Sequence, residues 1–239
     1  MTSRGILYLI PTTLGDHDPL AVLPATVPQV LLAMDYFIVE NEKTARRFIK
    51  AVVPEKSQPS LALFTLNKRT DPAEHRDMLA PCLDGKNVGL MSEAGCPGIA
   101  DPGADVVKLA HEIGIRVVPL VGPSSILLAM MASGMNGQRF AFQGYLPIDK
   151  AERKAAIKNL EKLSADLNQS QLFIETPYRN NRMMEDLLQT LLPATRLCVA
   201  ADLTLPTEFI RTLTVAEWKK VKTDLDKRPA IFILHHSRY

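Results

Sequence analysis

The sequence is poor in the features that mark several large classes of protein. Its three cysteines, Cys82, Cys96 and Cys198, are odd in number and far apart. None sits in a Cys-x-x-Cys pair or near a histidine at metal-ligand spacing, which excludes a disulfide framework and fits a reducing, cytoplasmic compartment. No apolar run reaches the roughly 18 residues of a membrane span, and the chain passes from Gly5 straight into a strand-length apolar run. Neither an anchor nor a signal peptide is expected. Charge of one sign is scarce as well: 28 basic and 26 acidic residues leave a net charge of +2, little for bulk attraction to a polyanion, although a local basic patch is still allowed. The five histidines form no constellation. His75 and His111 fall in helical segments, His235 and His236 close the last strand, and only His17 adjoins a candidate loop, so no metal site is expected.

What remains describes a globular chain of 239 residues, 46% apolar and 23% charged, long enough for two domains. Short apolar runs at Ile6 to Ile10, Tyr36 to Glu40, Leu61 to Thr65, Val88 to Met91 and Ile115 to Leu120 read as buried strands. Between them lie helical periods. Ala45, Phe48, Ile49 and Val52 share one face of 42–53, and Val106, Ala110 and Ile113 one face of 104–113. This β-α-β alternation predicts an α/β domain with a mostly parallel sheet over 1–120, whose ligand crevice lies at the carboxyl ends of the strands. Near Val121 the order changes. An apolar helix at 123–133, a strand at 140–146 and a charged helix at 150–163 open a second α/β domain over 121–239. Its later strands fall at 172–175, 196–201, 209–215 and 230–235, and the lack of a helix before the run 205–215 predicts a mixed sheet. The polar stretch Ser164 to Ser170 reads as a surface turn.

Three loops carry the chemistry. Pro11-Thr12-Thr13-Leu14-Gly15-Asp16 follows the first strand; its small residues allow close approach of backbone to a ligand, but it has neither the Gly-x-Gly-x-x-Gly fingerprint nor a Walker lysine. The most informative segment, Ser92 to Gly103, packs three glycines and two prolines into twelve positions where an ordinary connection needs about two to six, which points to a binding surface built from backbone. The third, Val121-Gly122-Pro123-Ser124-Ser125, joins the domains, with Gly122 placed for a sharp turn, Pro123 for a first helical turn, and two hydroxyls for a ligand or a helix cap. In the second domain, Phe173-Ile174-Glu175-Thr176-Pro177-Tyr178-Arg179 ends a strand with a carboxylate and an arginine. These either pair with each other at the surface or meet a ligand.

In this order, the four segments resemble the tetrapyrrole methylase family over nearly the whole chain. They are most similar to its bacterial branch that methylates the ribose 2′-hydroxyl of a small-subunit rRNA cytidine, whose loops read Pro-Thr-Pro-x-Gly-Asn, Ser-Asp-Ala-Gly-x-Pro-Gly-x-x-Asp-Pro-Gly, Pro-Gly-Pro-Ser and Glu-Ser-Pro-x-Arg. The resemblance implies two α/β domains with S-adenosyl-L-methionine in the cleft between them, a homodimer, and rRNA or the small ribosomal subunit as partner. Carried over by position, it implies donor contacts from Pro11, Glu93, Ala94, Gly95, Ile99, Ser124 and Ser125, and from Glu175, Ala201, Pro229 and Ala230 in the second domain.

The chain departs from that branch at Asp16 and Glu93, which replace Asn and Asp, and at Glu40-Asn41-Glu42-Lys43, which stands for Glu-Asp-Thr-Arg. Ala201 and Leu205 also take the places of an arginine and a lysine, removing two side chains suited to phosphate. Lys43, Arg46 and Arg47 are the nearest replacements in sequence, unless they form a solvated helix face. Methyl transfer from a sulfonium needs mainly an in-line nucleophile, and a ribose hydroxyl adds the need for a base or a cation. Glu40, Lys43, Asp101 and Arg179 are the candidates. Other acceptors on the same fold are a tetrapyrrole, another small molecule or a protein side chain; outside enzymes, the alternative is a binding module for a nucleotide-like ligand.

Overall fold

The computed structural model describes residues 4–67 and 69–237. The chain divides into two compact units, Met1–Ser124 and Ser125–Tyr239. In the first unit the elements run β1 (Ile6–Ile10), α1 (Thr26–Leu32), β2 (Tyr36–Val39), α2 (Glu42–Val52), β3 (Ala62–Thr65), α3 (His75–Leu83), β4 (Val88–Met91), α4 (Ala104–Glu112) and β5 (Arg116–Pro119). The five strands lie in the order β3-β2-β4-β1-β5, and every neighbouring pair is parallel.

Alternation along each strand sorts its side chains between two helical layers. Ile10, Phe37, Val39 and Met91 pack with Val27 and Leu31 of α1 and Ala45 and Ile49 of α2. Leu7, Ile38, Val88 and Leu90 pack on the other side with Leu79 of α3 and Val106 and Ala110 of α4. Central β4 is buried throughout, as a strand covered on both faces must be. Pro119, which has no N–H to give a ladder, is accommodated because β5 is an edge strand.

The second unit runs α5 (Ser125–Ser133), β6 (Phe140–Tyr145), α6 (Lys150–Leu167), β7 (Ser170–Ile174), α7 (Asn180–Thr190), β8 (Arg196–Ala201), β9 (Phe209–Thr214), α8 (Val215–Trp218) and β10 (Ala230–His235). Its sheet, β6-β7-β10-β8-β9, is mixed: β6 is parallel to β7, and every other pair is antiparallel. The helix-free connection from β8 to β9 produces an antiparallel pair. Phe173 and Phe232 stack in the core with centroids 5.7 Å apart, and the buried Trp218 donates its indole N–H to Leu197 O at 2.8 Å.

Two expectations are corrected. Residues 164–170 are not a surface turn. Helix α6, capped by the Asp149 carboxylate, runs on to Leu167 and stops where Asn168 turns left-handed at φ 48°. Ser164 and Ser170 are both fully buried. Ser164 lies four residues after Leu160, on the buried face of α6, and its hydroxyl accepts the His236 N–H at 2.9 Å. The apolar helix α5 starts at Ser125, so Pro123 precedes its first turn.

Candidate functional site

Strands β4, β1 and β5 are neighbours, so the loops that leave their carboxyl ends are brought together. The Thr12 N–H donates to Gly95 O at 2.9 Å, the Thr12 hydroxyl to Ser92 O at 3.3 Å, and the Cys96 thiol to Pro123 O at 3.5 Å. Gly122 does not make a sharp left-handed turn, since its φ is not among the positive ones. It serves close approach: a Cβ there would lie 2.2 Å from Cγ of the buried Pro11. Gly95 does need its missing side chain for conformation, with φ at 74°. Ala100 holds φ at 63°, a left-handed conformation that costs a residue with a Cβ about 1 kcal/mol or more. The long loop is therefore a specialised backbone structure pinned to both neighbouring loops.

The resemblance-derived positions of this unit, Pro11 to Ser124, fall on that assembly, and Ser125 opens the second unit. Pro11 and Gly95 are buried, Ser124 and Ser125 half-buried, and Glu93 and Ala94 exposed. Ile99 projects with 53% of its surface open, an apolar side chain in a polar loop.

A cavity of about 280 Å³ opens beside the assembly, bounded by the Thr12–His17 loop, Glu40 at the end of β2, Thr44, Arg47 and Phe48 of α2, and Ser92 to Ala94. Its walls are cross-linked. Glu40 accepts the Glu93 N–H at 3.0 Å, and the Thr44 hydroxyl donates to the Glu93 carboxylate. Helix α2 starts here because the Asn41 side chain accepts the N–H groups of Lys43 and Thr44, at 2.9 and 3.3 Å. On the long loop, burial first and then the Glu40 and Glu93 charges push the Asp101 carboxyl up to about 6.

Among the four catalytic candidates, Glu40 lines the cavity, and Asp101, outside that lining, is coupled to it through the Glu40 and Glu93 charges. Lys43 is exposed in the first turn of α2 and does not line the cavity. Arg179 belongs to the second unit, where its guanidinium pairs with Glu175 at 2.6 Å. Sequence reasoning missed Thr44 and Phe48 as cavity walls. The apolar stripe of α2 identifies the face that packs on the sheet but says nothing about what the remaining faces border.

In the second unit Glu175, Ala201, Pro229 and Ala230 gather at one end of the sheet. Glu175 follows β7, Ala201 ends β8 opposite Ala230 of β10, and Pro229 O accepts the Asp202 N–H at 3.0 Å. Glu175 pairs with Arg179, one of the two arrangements expected for this segment, but the carboxylate is buried, with 6% exposure, not at the surface. The loop after Ala201 is pinned by Arg228, which donates to Asp202 Oδ2 at 2.7 Å and to Thr207 O at 2.6 Å.

No protein-family model matches the chain. Among curated proteins it is similar to the ribosomal RNA small subunit methyltransferase I of Escherichia coli O157:H7, at 31% identity over 235 residues, 97% of this chain and 77% of that protein. The protein of the same name from Bacillus subtilis (strain 168) is 32% identical over 211 residues, 88% of this chain and 68% of that one. Among solved structures, the methyltransferase CobJ matches with a TM-score of 0.64 at 16% identity, covering 97% of this chain and 94% of that one. Uroporphyrin-III-C-methyltransferase from Thermus thermophilus matches with a TM-score of 0.60 at 20% identity, with the same coverage. These two likenesses concern the fold.

Proposed function

The chain belongs to the ribosomal RNA small subunit methyltransferase I family, and we propose that it transfers a methyl group from S-adenosylmethionine to a ribose 2′-hydroxyl of small-subunit ribosomal RNA. The observation that carries this reading is the 31% identity sustained over 97% of the chain. The geometry of the first unit supports it.

The residues fit a donor held mainly by backbone. Gly95, with φ at 74° and a would-be Cβ 3.1 Å from Leu14, leaves main-chain groups uncovered by any side chain of its own. The neighbouring Ile99 offers apolar surface to a ligand. Pro11, Glu93, Ala94, Gly95, Ile99 and Ser124 are the proposed donor contacts of this unit, joined by Ser125 at the start of the second. Glu175, Ala201, Pro229 and Ala230 are proposed on the resemblance alone. When bound, the sulfonium supplies an electrophilic methyl together with its leaving group.

The chain's own residues then have two tasks. The first is to position the acceptor, which we assign to the cavity between the Pro11 loop, α2 and the long loop, since it borders Glu93 and Ala94 of the donor set. The second is to take the proton of the hydroxyl. Asp101 is the proposed base: with a pKa of about 6 it is ionised at neutral pH yet holds a proton more firmly than an ordinary carboxylate. Glu40, fixed by the Glu93 N–H at 3.0 Å, keeps that charge environment in place.

A homodimer is also proposed. The helix α5 is apolar and exposes 79% of Met131. Light scattering should then give about twice the 26.4 kDa of one chain.

Calorimetry tests the donor reading directly. S-adenosylmethionine and S-adenosylhomocysteine are expected to bind without added metal. Absence of binding by both at millimolar ligand, with the protein folded, would overturn it.

A further inference from the structure

The second unit lacks basic side chains at two positions where the RNA-methylating branch carries them, Ala201 and Leu205. Its nearby arginines are committed, Arg228 to Asp202 and Arg179 to Glu175. If RNA is the acceptor, the phosphates must be met elsewhere.

Helix α2 is strongly basic. It holds four basic residues against one acidic, while the whole protein is nearly balanced. Arg46 is tied down: it donates to Gln58 O at 2.7 Å and to Leu61 O at 3.5 Å, bracing the segment before β3. The other three, Lys43, Arg47 and Lys50, are spaced i, i+4, i+7, which places them in one stripe away from the buried Ala45, Ile49 and Val52. All three are exposed. No ion pair or side-chain hydrogen bond holds any of them among the described residues, whereas Lys56, Arg153, Arg179 and Arg228 each have a carboxylate partner.

The stripe works against its own helix. Lys43 stands in the first turn, where the helix dipole disfavours a cation, and it faces Arg47 as a like charge four residues on. An external anion would relieve both. The stripe also has a direction, because Arg47 lines the cavity assigned to the acceptor while Lys43 and Lys50 lie to either side of it along α2. Lys43 to Lys50 covers about 10 Å of helix, several times the roughly 3.4 Å rise per phosphate along one strand of a duplex.

We propose that Lys43, Arg47 and Lys50 form a phosphate track that holds the sugar-phosphate backbone of the RNA acceptor against α2, with Arg47 at the cavity and the target ribose within it. The track replaces the basic contacts missing from the second unit, and it rests on the RNA reading given above.

The test compares the unaltered protein with a Lys43→Gln, Arg47→Gln, Lys50→Gln triple variant, and with a control variant, Lys158→Gln, Lys162→Gln, on the exposed side of α6. Binding of a small-subunit rRNA transcript is measured from 50 to 200 mM salt, alongside calorimetric binding of S-adenosylhomocysteine. The triple variant is expected to bind S-adenosylhomocysteine normally, to lose about tenfold or more in RNA affinity at the lowest salt, and to show a log-log salt slope shallower by about 2, at roughly 0.7–0.9 per phosphate contact. The control is expected to change little. An unchanged slope in the triple variant, or an equal change in the control, would overturn the track while leaving RNA as acceptor. If the unaltered protein binds S-adenosylhomocysteine but no RNA, the RNA reading falls and the track with it.

Discussion

Gly95 meets two demands at one backbone position. Its φ of 74° belongs to the left-handed region, and a Cβ would press on Leu14 Cδ2 at 3.1 Å and approach Pro123 O at 3.5 Å. Gly95→Val therefore adds strain at the meeting point of all three loops. Donor affinity is expected to fall at least tenfold and stability by about 1–2 kcal/mol. Unchanged affinity in the folded variant, read by calorimetry, would remove the loop from the donor site. Asp101 makes a different kind of prediction. Its folded-state pKa, about 6, lies above the ordinary 3.8, so the native protein binds this proton more tightly than the unfolded chain does. The associated stability is complete below about pH 4 and is lost as pH rises through about 6. Asp101→Asn removes that loss. Denaturant titrations should show the variant more stable than the parent above pH 6, by on the order of 1 kcal/mol once solvent screening is allowed for, and equal to it near pH 4. If Asp101 is the base, methyl transfer should meanwhile drop by about 10²-fold or more and lose its rise across pH 6. A variant of equal stability at all pH values, or one with full activity, would contradict these assignments.

At the scale of elements, the pairing of α6 with α7 depends on a buried ion pair. Arg153 gives Nη2 and Nε to Asp186 Oδ2 at 2.6 and 2.9 Å and Nη1 to Ile148 O at 2.6 Å, with both side chains nearly inaccessible. Arg153→Met strands the Asp186 charge and should cost about 3–5 kcal/mol. Adding Asp186→Leu should return much of it, and urea titration of the single and double variants distinguishes this from a plain packing loss, in which the second change would only add to the first. Such a pair was not legible beforehand: its partners are 33 residues apart in sequence, and only the docking of the two helices makes them neighbours. The strands of the first sheet were legible because each is a short apolar run, although the edge strands β3 and β5 are only partly buried and not the buried strands expected. The last turn of α6 was not, because Ser164, Ala165 and Asp166 look like a turn in composition, while burial of Ser164 follows from helical phase. The same limit hid Thr44 and Phe48. Periodicity identifies the face of α2 that packs on the sheet, but not the cavity that the sheet order β2-β4-β1 creates beside it.

For the whole molecule, the alternation of strands and helices was enough to indicate an α/β chain, and the glycine- and proline-rich run at 92–103 was enough to mark a loop of specialised backbone that is pinned to its neighbours. Charge was informative chiefly through its distribution, since a net +2 conceals the basic concentration on α2. The most direct test of the proposed function is transfer of a labelled methyl group from S-adenosylmethionine to isolated small ribosomal subunits that lack the modification. The protein is expected to place label on a ribose of the small-subunit rRNA, releasing one S-adenosylhomocysteine for each methyl transferred. Subunits and rRNA that stay unlabelled, while the same preparation binds the donor, would contradict rRNA as the acceptor.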